Sequence, residues 1–173
     1  EEKLQSKIRT SGCAQGTIYG DMIDKFNLIK LSKNSMISKT QIINLSKKIN
    51  TTPSLYLKAG AIHGCVLATG DEPLIYMEDI GRHNAVDKVI GSVLRRGSQR
   101  ITGMVLVVTS RLSFDLVQKA ARADLAAVAG VGAASSLAVE LARKFGIHLF
   151  SFTHKDRVNY HDPNHDASVH SFR

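Results

Sequence analysis

From Met104 to Thr109 the chain reads Met-Val-Leu-Val-Val-Thr, an apolar, largely β-branched run with no charge to turn toward water. A run of this kind fits a strand buried on both faces, and such a strand demands helices above and below it. The flanking sequence supplies them. Residues 82–96 present Ala85, Val86, Val89, Ile90, Val93 and Leu94 on one side of a helix that Gly97 ends. Ser113 opens a second helix running to Arg122, and Ser135–Phe145 forms a third, closed by Gly146. Strands at Leu125–Ala129 and Ile147–Phe152 alternate with them. Upstream lies a hairpin of Ala61–Thr69 with Leu74–Glu78, turned at Gly70-Asp71-Glu72-Pro73. This rhythm predicts an α/β fold, a three-layer α/β/α sandwich with a mixed sheet. The ends of 104–109, 125–129 and 147–152 should meet at one edge and gather Ser110-Arg111, Gly130–Ser135 and Thr153–Arg157 there.

Before the hairpin, Ile42, Leu45 and Ile49 fall on one helical face within residues 39–50, and Pro53 follows. Residues 1–38 read as irregular. Three parts are therefore expected: 1–58 with a cysteine loop and a basic helical segment, 59–160 as the α/β core, and 161–173 as a polar tail. The net charge is +8, and residues 1–58 hold ten Lys/Arg against four Asp/Glu. A solvated basic face explains that excess. Nucleic acid is disfavoured, because no aromatic residues interleave with the lysines as a stacking platform needs. No stretch approaches the roughly 18 apolar residues of a membrane span, so no membrane role is expected. Two cysteines are too few for a secreted disulfide framework, which favours a reducing cytoplasm. The opening Glu1-Glu2-Lys3-Leu4 reads as the interior of a longer chain.

The candidate chemistry is sparse. Cys13 sits in the small-residue loop Ser11-Gly12-Cys13-Ala14-Gln15-Gly16, near Lys7 and Arg9. Nearby cations stabilise a thiolate, which suits a nucleophilic or sulfur-carrying cysteine, although an incidental loop thiol fits the sequence as well. Cys65, within a strand, reads as a small buried residue. His63, His83 and Asp87 invite a metal reading. A zinc deaminase would add H-x-E and a later P-C-x-x-C, and His63-Gly64-Cys65 supplies neither, so no metal is expected. A hydrogen-bonded pair with Asp87 orienting His83 is preferred, since residues four apart share a helix face. Gly130-Val131-Gly132-Ala133-Ala134-Ser135-Ser136 suits either a phosphate cradle or a tight βα turn. The histidines His154, His161, His165 and His170 are irregularly spaced in the polar stretch 153–173, read as a disordered tail.

Glu78-Asp79-Ile80-Gly81-Arg82-His83-Asn84-Ala85-Val86-Asp87-Lys88 packs six charged or imidazole side chains into a strand-to-helix junction. It resembles the signature of the FdhD sulfur-carrier family, the formate dehydrogenase accessory proteins. The likeness extends through Thr109–Arg122 and Ala134–Ala142 to Phe150–Tyr160, with Arg9-Thr10-Ser11-Gly12-Cys13 similar to the lead-in to that family's cysteine loop. The resemblance implies a cytidine-deaminase-like fold without the zinc machinery. It also implies a homodimeric sulfurtransferase that accepts a persulfide from a cysteine desulfurase. That sulfur would pass to the bis-guanine-dinucleotide form of the molybdenum cofactor, for formate dehydrogenase. By position, Cys13 matches the persulfide cysteine. Phe150, Ser151, Phe152, Thr153, His154 and Lys155 match the segment that contacts the guanine nucleotide end. One departure stands out: the family's C-x-x-C loop is Cys13-Ala14-Gln15-Gly16 here. One thiol still carries a persulfide, but it cannot resolve it as an internal disulfide. The other reading is a chaperone that binds guanine nucleotide or cofactor with no covalent chemistry.

Overall fold

The computed structural model describes residues 37–96, 101–154 and 157–164, and the backbone of two short strands before them. The chain divides into two compact units, Glu1–Lys30 and Leu31–Arg173. In the first, β1 (Lys7–Arg9) and β2 (Thr17–Tyr19) pair antiparallel with Ile8 opposite Ile18, so the segment read as irregular contains a short ladder. Cys13 falls between these strands in sequence and lies outside the described residues.

The second unit is built on a six-stranded mixed sheet in the order β4-β3-β5-β6-β7-β8. Its strands are β3 (His63–Thr69), β4 (Glu72–Asp79), β5 (Val105–Val108), β6 (Ala127–Gly130), β7 (His148–His154) and β8 (Arg157–His161). The apolar run at 104–109 becomes β5, buried at every position, and it pairs parallel to β6, which pairs parallel to β7. The helices are α1 (Lys39–Thr51), α2 (Leu55–Ala59), α3 (Arg82–Arg95), α4 (Phe114–Arg122) and α5 (Ser136–Phe145). Going from β4 through β5 and β6 to β7, the chain moves steadily across the sheet, so right-handed crossovers place α3, α4 and α5 on one face. Helix α1 covers the other. Its Ile42, Leu45 and Ile49 pack with Val66, Ala68, Val105, Val107, Ala127, Ala129 and Phe150. The alternate residues Cys65, Leu67, Leu106, Val108 and Val128 are also buried, on the opposite face by the period of a strand. Three layers result, as expected.

Local signals explain most boundaries. Ser38 and Gln41 form a capping box at α1, each side chain bonding the other's backbone N–H. Ser135 caps α5 through the Ala138 N–H, and Gly146 ends it at φ 70°. Three features depart from the sequence reading. Strand β4 begins at Glu72, inside the expected turn; as a sheet-edge strand it holds Pro73 beside the register shift opposite Leu67/Ala68. Helix α2 is new; its N-terminus is capped by Ser54 and by the Glu78 carboxylate, which accepts from the Tyr56 N–H at 2.8 Å and the Leu55 N–H at 3.2 Å. Strand β8 occupies part of the segment read as a disordered polar tail. It pairs antiparallel with β7, and its Tyr160 stacks on Phe150 at 4.8 Å between ring centroids.

The docking of α1 is directly testable. Leu45→Ala should destabilise the protein by about 2–5 kcal/mol, as for a fully enclosed leucine. Leu94, grouped by its spacing with the inward residues of α3, is instead 68% exposed, and Leu94→Ala should stay within about 0.5 kcal/mol. Urea denaturation of both variants measures the contrast.

Candidate functional site

The carboxyl ends of β4, β5, β6 and β7 lie at one edge of the sheet, with the amino ends of α3, α4 and α5 following directly in sequence. Here the turns after β5 and β6 are stitched together. Leu112 N–H donates to the Ala133 carbonyl at 2.9 Å, Ser135 N–H to the Leu112 carbonyl at 3.0 Å, and Gly132 N–H to the Ser110 carbonyl at 3.3 Å. The glycines are needed for this approach. A Cβ on Gly130 would sit 2.7 Å from the Leu112 side chain, and one on Gly132 would sit 3.0 Å from the Arg111 Cα. The N–H groups of Val131, Gly132 and Ser135 are thus spent inside the protein. Between the two sequence readings of Gly130–Ser136, this geometry favours the tight turn over the phosphate cradle.

Next to Gly132 stands the most strained backbone of the sheet. Phe152 has φ 52°, a conformation that costs a residue with a Cβ about 1–3 kcal/mol, and β7 is irregular between Ser151 and His154. Three hydrogen bonds hold it. Its own N–H donates to the Gly132 carbonyl at 3.0 Å. The Ser151 hydroxyl and His161 Nε2 lie 2.9 Å apart. The Ser46 hydroxyl donates to the Thr153 carbonyl at 2.6 Å. The outcome is a phenylalanine 51% exposed at the sheet edge, its N–H bonded to Gly132, against which the exposed Arg111 lies. Exposed Arg157 pairs with the end of the same bulge, opposite His154. An exposed phenylalanine and two exposed arginines on adjoining backbone are the side-chain types that suit a planar, anionic ligand.

The candidate segment therefore separates by burial. Phe150 is core. Ser151 and Thr153 are buried, and the Thr153 hydroxyl has no hydrogen-bond partner among the described residues. Phe152 alone of these four faces solvent. The backbone of His154 ends β7; its side chain and Lys155, like Cys13, lie outside the described residues.

The junction Glu78–Lys88 is mostly occupied with holding itself together. Glu78 accepts from the Tyr76 hydroxyl at 2.6 Å while capping α2, and burial with this bond pushes the Tyr76 phenol up to about 12. Asp79 takes Lys88 Nζ at 2.6 Å and the Gly81 N–H at 2.8 Å, which hold its carboxyl at about 2. The expected His83–Asp87 pair does not form. Asp87 faces α4 instead, where Lys119 Nζ bonds its two oxygens at 2.6 and 2.5 Å, and an ammonium is the stronger partner. His83 Nδ1 is buried with no hydrogen-bond partner among the described residues, as is the hydroxyl of Ser113 at the start of α4. No three His, Cys, Asp or Glu side chains able to hold a metal converge among the described residues, and no helix there is long and apolar enough to cross a membrane. The only described thiol, Cys65, is fully enclosed, and burial pushes its pKa far up. It is not a nucleophile.

Sequence reasoning missed the bulge, Ser46 and His161. Phe150-Ser151-Phe152-Thr153 keeps the apolar–polar alternation of an ordinary strand, so the chain carries no signal for the bulge or for the sign of φ.

Two outcomes follow from this geometry. Phe152→Gly should be more stable than Phe152→Ala by about 1 kcal/mol in urea denaturation, the reverse of the usual order in a strand, because glycine adopts positive φ freely. His63, His83, His148 and His161 all titrate below the ordinary value of 6.5, chiefly through burial, with Arg82 adding at His63 and His83 and Arg143 at His161. As pH falls below 6.5 the unfolded chain therefore binds protons that the folded one refuses, so stability is full above that value and declines beneath it. The urea midpoint should drop between about pH 7.5 and about pH 5.5, and an unchanged midpoint would contradict the burial of these rings.

Comparison with known proteins places these features in context. The model of the FdhD/NarQ family matches residues 1–166. A protein of Corynebacterium efficiens named sulfur carrier protein FdhD is 46% identical over 121 residues, 69% of this chain and 44% of the relative. One of the same name from Sulfurisphaera tokodaii is 31% identical over 166 residues, 90% of this chain and 64% of the relative. The chain thus spans about half to two thirds of the length of these relatives. A crystal structure from Desulfotalea psychrophila, assigned as a formate dehydrogenase accessory protein, superposes with TM-score 0.71 at 25% identity, over 94% of this chain and 71% of that one.

Proposed function

The chain belongs to the FdhD/NarQ family, and from that membership we propose that it is a sulfur carrier for the molybdenum cofactor. In this reading it takes sulfur from a cysteine desulfurase and holds it as a persulfide on Cys13. It then delivers that sulfur to the bis-guanine-dinucleotide cofactor required by formate dehydrogenase. The transfer onto the protein is an exchange between sulfurs: the Cys13 thiolate attacks the terminal sulfur of the donor persulfide, a new S–S bond forms on Cys13, and the donor cysteine leaves as thiolate. No external oxidant is consumed in that step. A cytoplasmic homodimer with a deaminase-like sheet belongs to the same reading.

The observation that carries it is the state of the two thiols. The sequence holds two cysteines, and Cys65 is sealed in the core with its pKa raised. Persulfide chemistry therefore falls to Cys13, and Gly16 leaves it without a neighbouring thiol to form a disulfide. Phe152, Arg111 and Arg157 then serve the cofactor's guanine nucleotide end, the base against the ring and the phosphates against the guanidinium groups. The names of the relatives, sulfur carrier and formate dehydrogenase accessory protein, support the direction of this reading.

The protein is to be incubated with a cysteine desulfurase and cysteine, and its intact mass measured with and without a thiol reductant. Wild type and Cys65→Ala should both gain one reducible sulfur, and Cys13→Ala none. Sulfur gained on Cys13→Ala would sink the carrier assignment. Restoration of formate dehydrogenase activity by Cys13→Ala in a strain lacking the accessory protein would favour the non-covalent chaperone.

A further inference from the structure

Phe152 gives up two things at once. Period-two alternation from Phe150 would place its ring on the α1 face, within the core that holds Ile42, Leu45 and Val107. Burial there would favour the fold by about 1.5–3 kcal/mol. The chain instead adopts φ 52° and leaves the ring half exposed. A strand relaxes from such a state unless its neighbours over-determine it.

The two residues flanking Phe152 are tied from opposite faces of the sheet. On the α1 side, Ser46, itself 2% exposed, donates to the Thr153 carbonyl at 2.6 Å. On the α5 side, His161 of β8 meets the hydroxyl of Ser151, which is 1% exposed. With the Phe152 N–H held by the Gly132 carbonyl, the two ties on its neighbours resist the rotation that would turn the ring inward. We propose that His161 and Ser46 are positioning residues of the nucleotide site, fixing the projection of the Phe152 ring without contacting the ligand themselves. This rests on the reading of Phe152 as part of the cofactor-binding surface. Imidazole suits this role because Nε2 reaches across the strand pair to a hydroxyl on the neighbouring strand. Burial and the charge of Arg143 on α5 lower its pKa and keep the ring neutral near pH 7.

The test is a double-mutant cycle on the full chain, with GDP as probe in isothermal titration calorimetry and thermal denaturation run in parallel. Phe152→Ala should weaken GDP binding by about tenfold or more, and His161→Leu by a comparable factor; the second effect should vanish in the Phe152→Ala background. His161→Gln, which returns a nitrogen near the Nε2 position, should restore affinity to within about threefold of wild type, and Ser46→Ala should behave as His161→Leu. Equal losses from His161→Leu with and without the Phe152 ring would overturn the positioning role, since they would mean direct contact or general loosening. A loss for Phe152→Ala with none for His161→Leu or Ser46→Ala would overturn it while leaving the cofactor site in place. If Phe152→Ala binds GDP as wild type does, or wild type binds none, the cofactor reading of this edge fails and the positioning role fails with it. Should His161→Leu not fold, the His161→Gln and Ser46→Ala arms still decide.

Discussion

Parallel pairing of β5, β6 and β7 governs the rest of the molecule. Parallel strands need crossovers, crossovers put helices on the sheet, and the strands between those layers must be apolar on both faces. Once Val105–Val108 and Ala127–Gly130 are buried at every residue, polar chemistry has no place on the faces. It is pushed to the edge where strands end and helices begin. The turns after β5 and β6 meet there through backbone hydrogen bonds that only glycine at 130 and 132 allows. Phe152 and Arg111 stand on that floor.

Much of this was legible in the chain because burial and periodicity write themselves into side-chain type. The run at 104–109 announces a doubly buried strand, 125–129 a short strand beside it, and Ile42, Leu45 and Ile49 announce α1 by its apolar face. Ser113, Ser135 and Gly146 mark where helices start and stop. Those signals are local, and they survived folding.

The parts that were not legible depend on partners far away in sequence. Arg157–His161 looks like polar tail because an edge strand needs only one apolar side; Val158 and Tyr160 supply it, and the pairing comes from β7. Asp87 shares a helix face with His83, yet the outcome was decided by Lys119, thirty-two residues on. The junction at Glu78–Lys88 drew attention as a dense polar cluster, and most of its charges turn out to brace the strand-to-helix turn and cap α2. The left-handed backbone at Phe152 has no sequence signature at all. It is imposed by hydroxyl and imidazole groups more than a hundred residues apart along the chain.

The enclosure of Cys65 has a consequence for any sulfur the protein holds. A persulfide is one half of an unfinished disulfide: any thiolate that reaches it can displace the outer sulfur as sulfide or claim it outright. A second thiol within the same chain poses that hazard whenever it can reach the persulfide as thiolate. Here the second is kept protonated and out of reach, so the burial that made Cys65 inert also makes it harmless. If Cys13 holds sulfur as proposed, the enclosed Cys65 protects that cargo by subtraction, because it can neither claim the outer sulfur nor expel it.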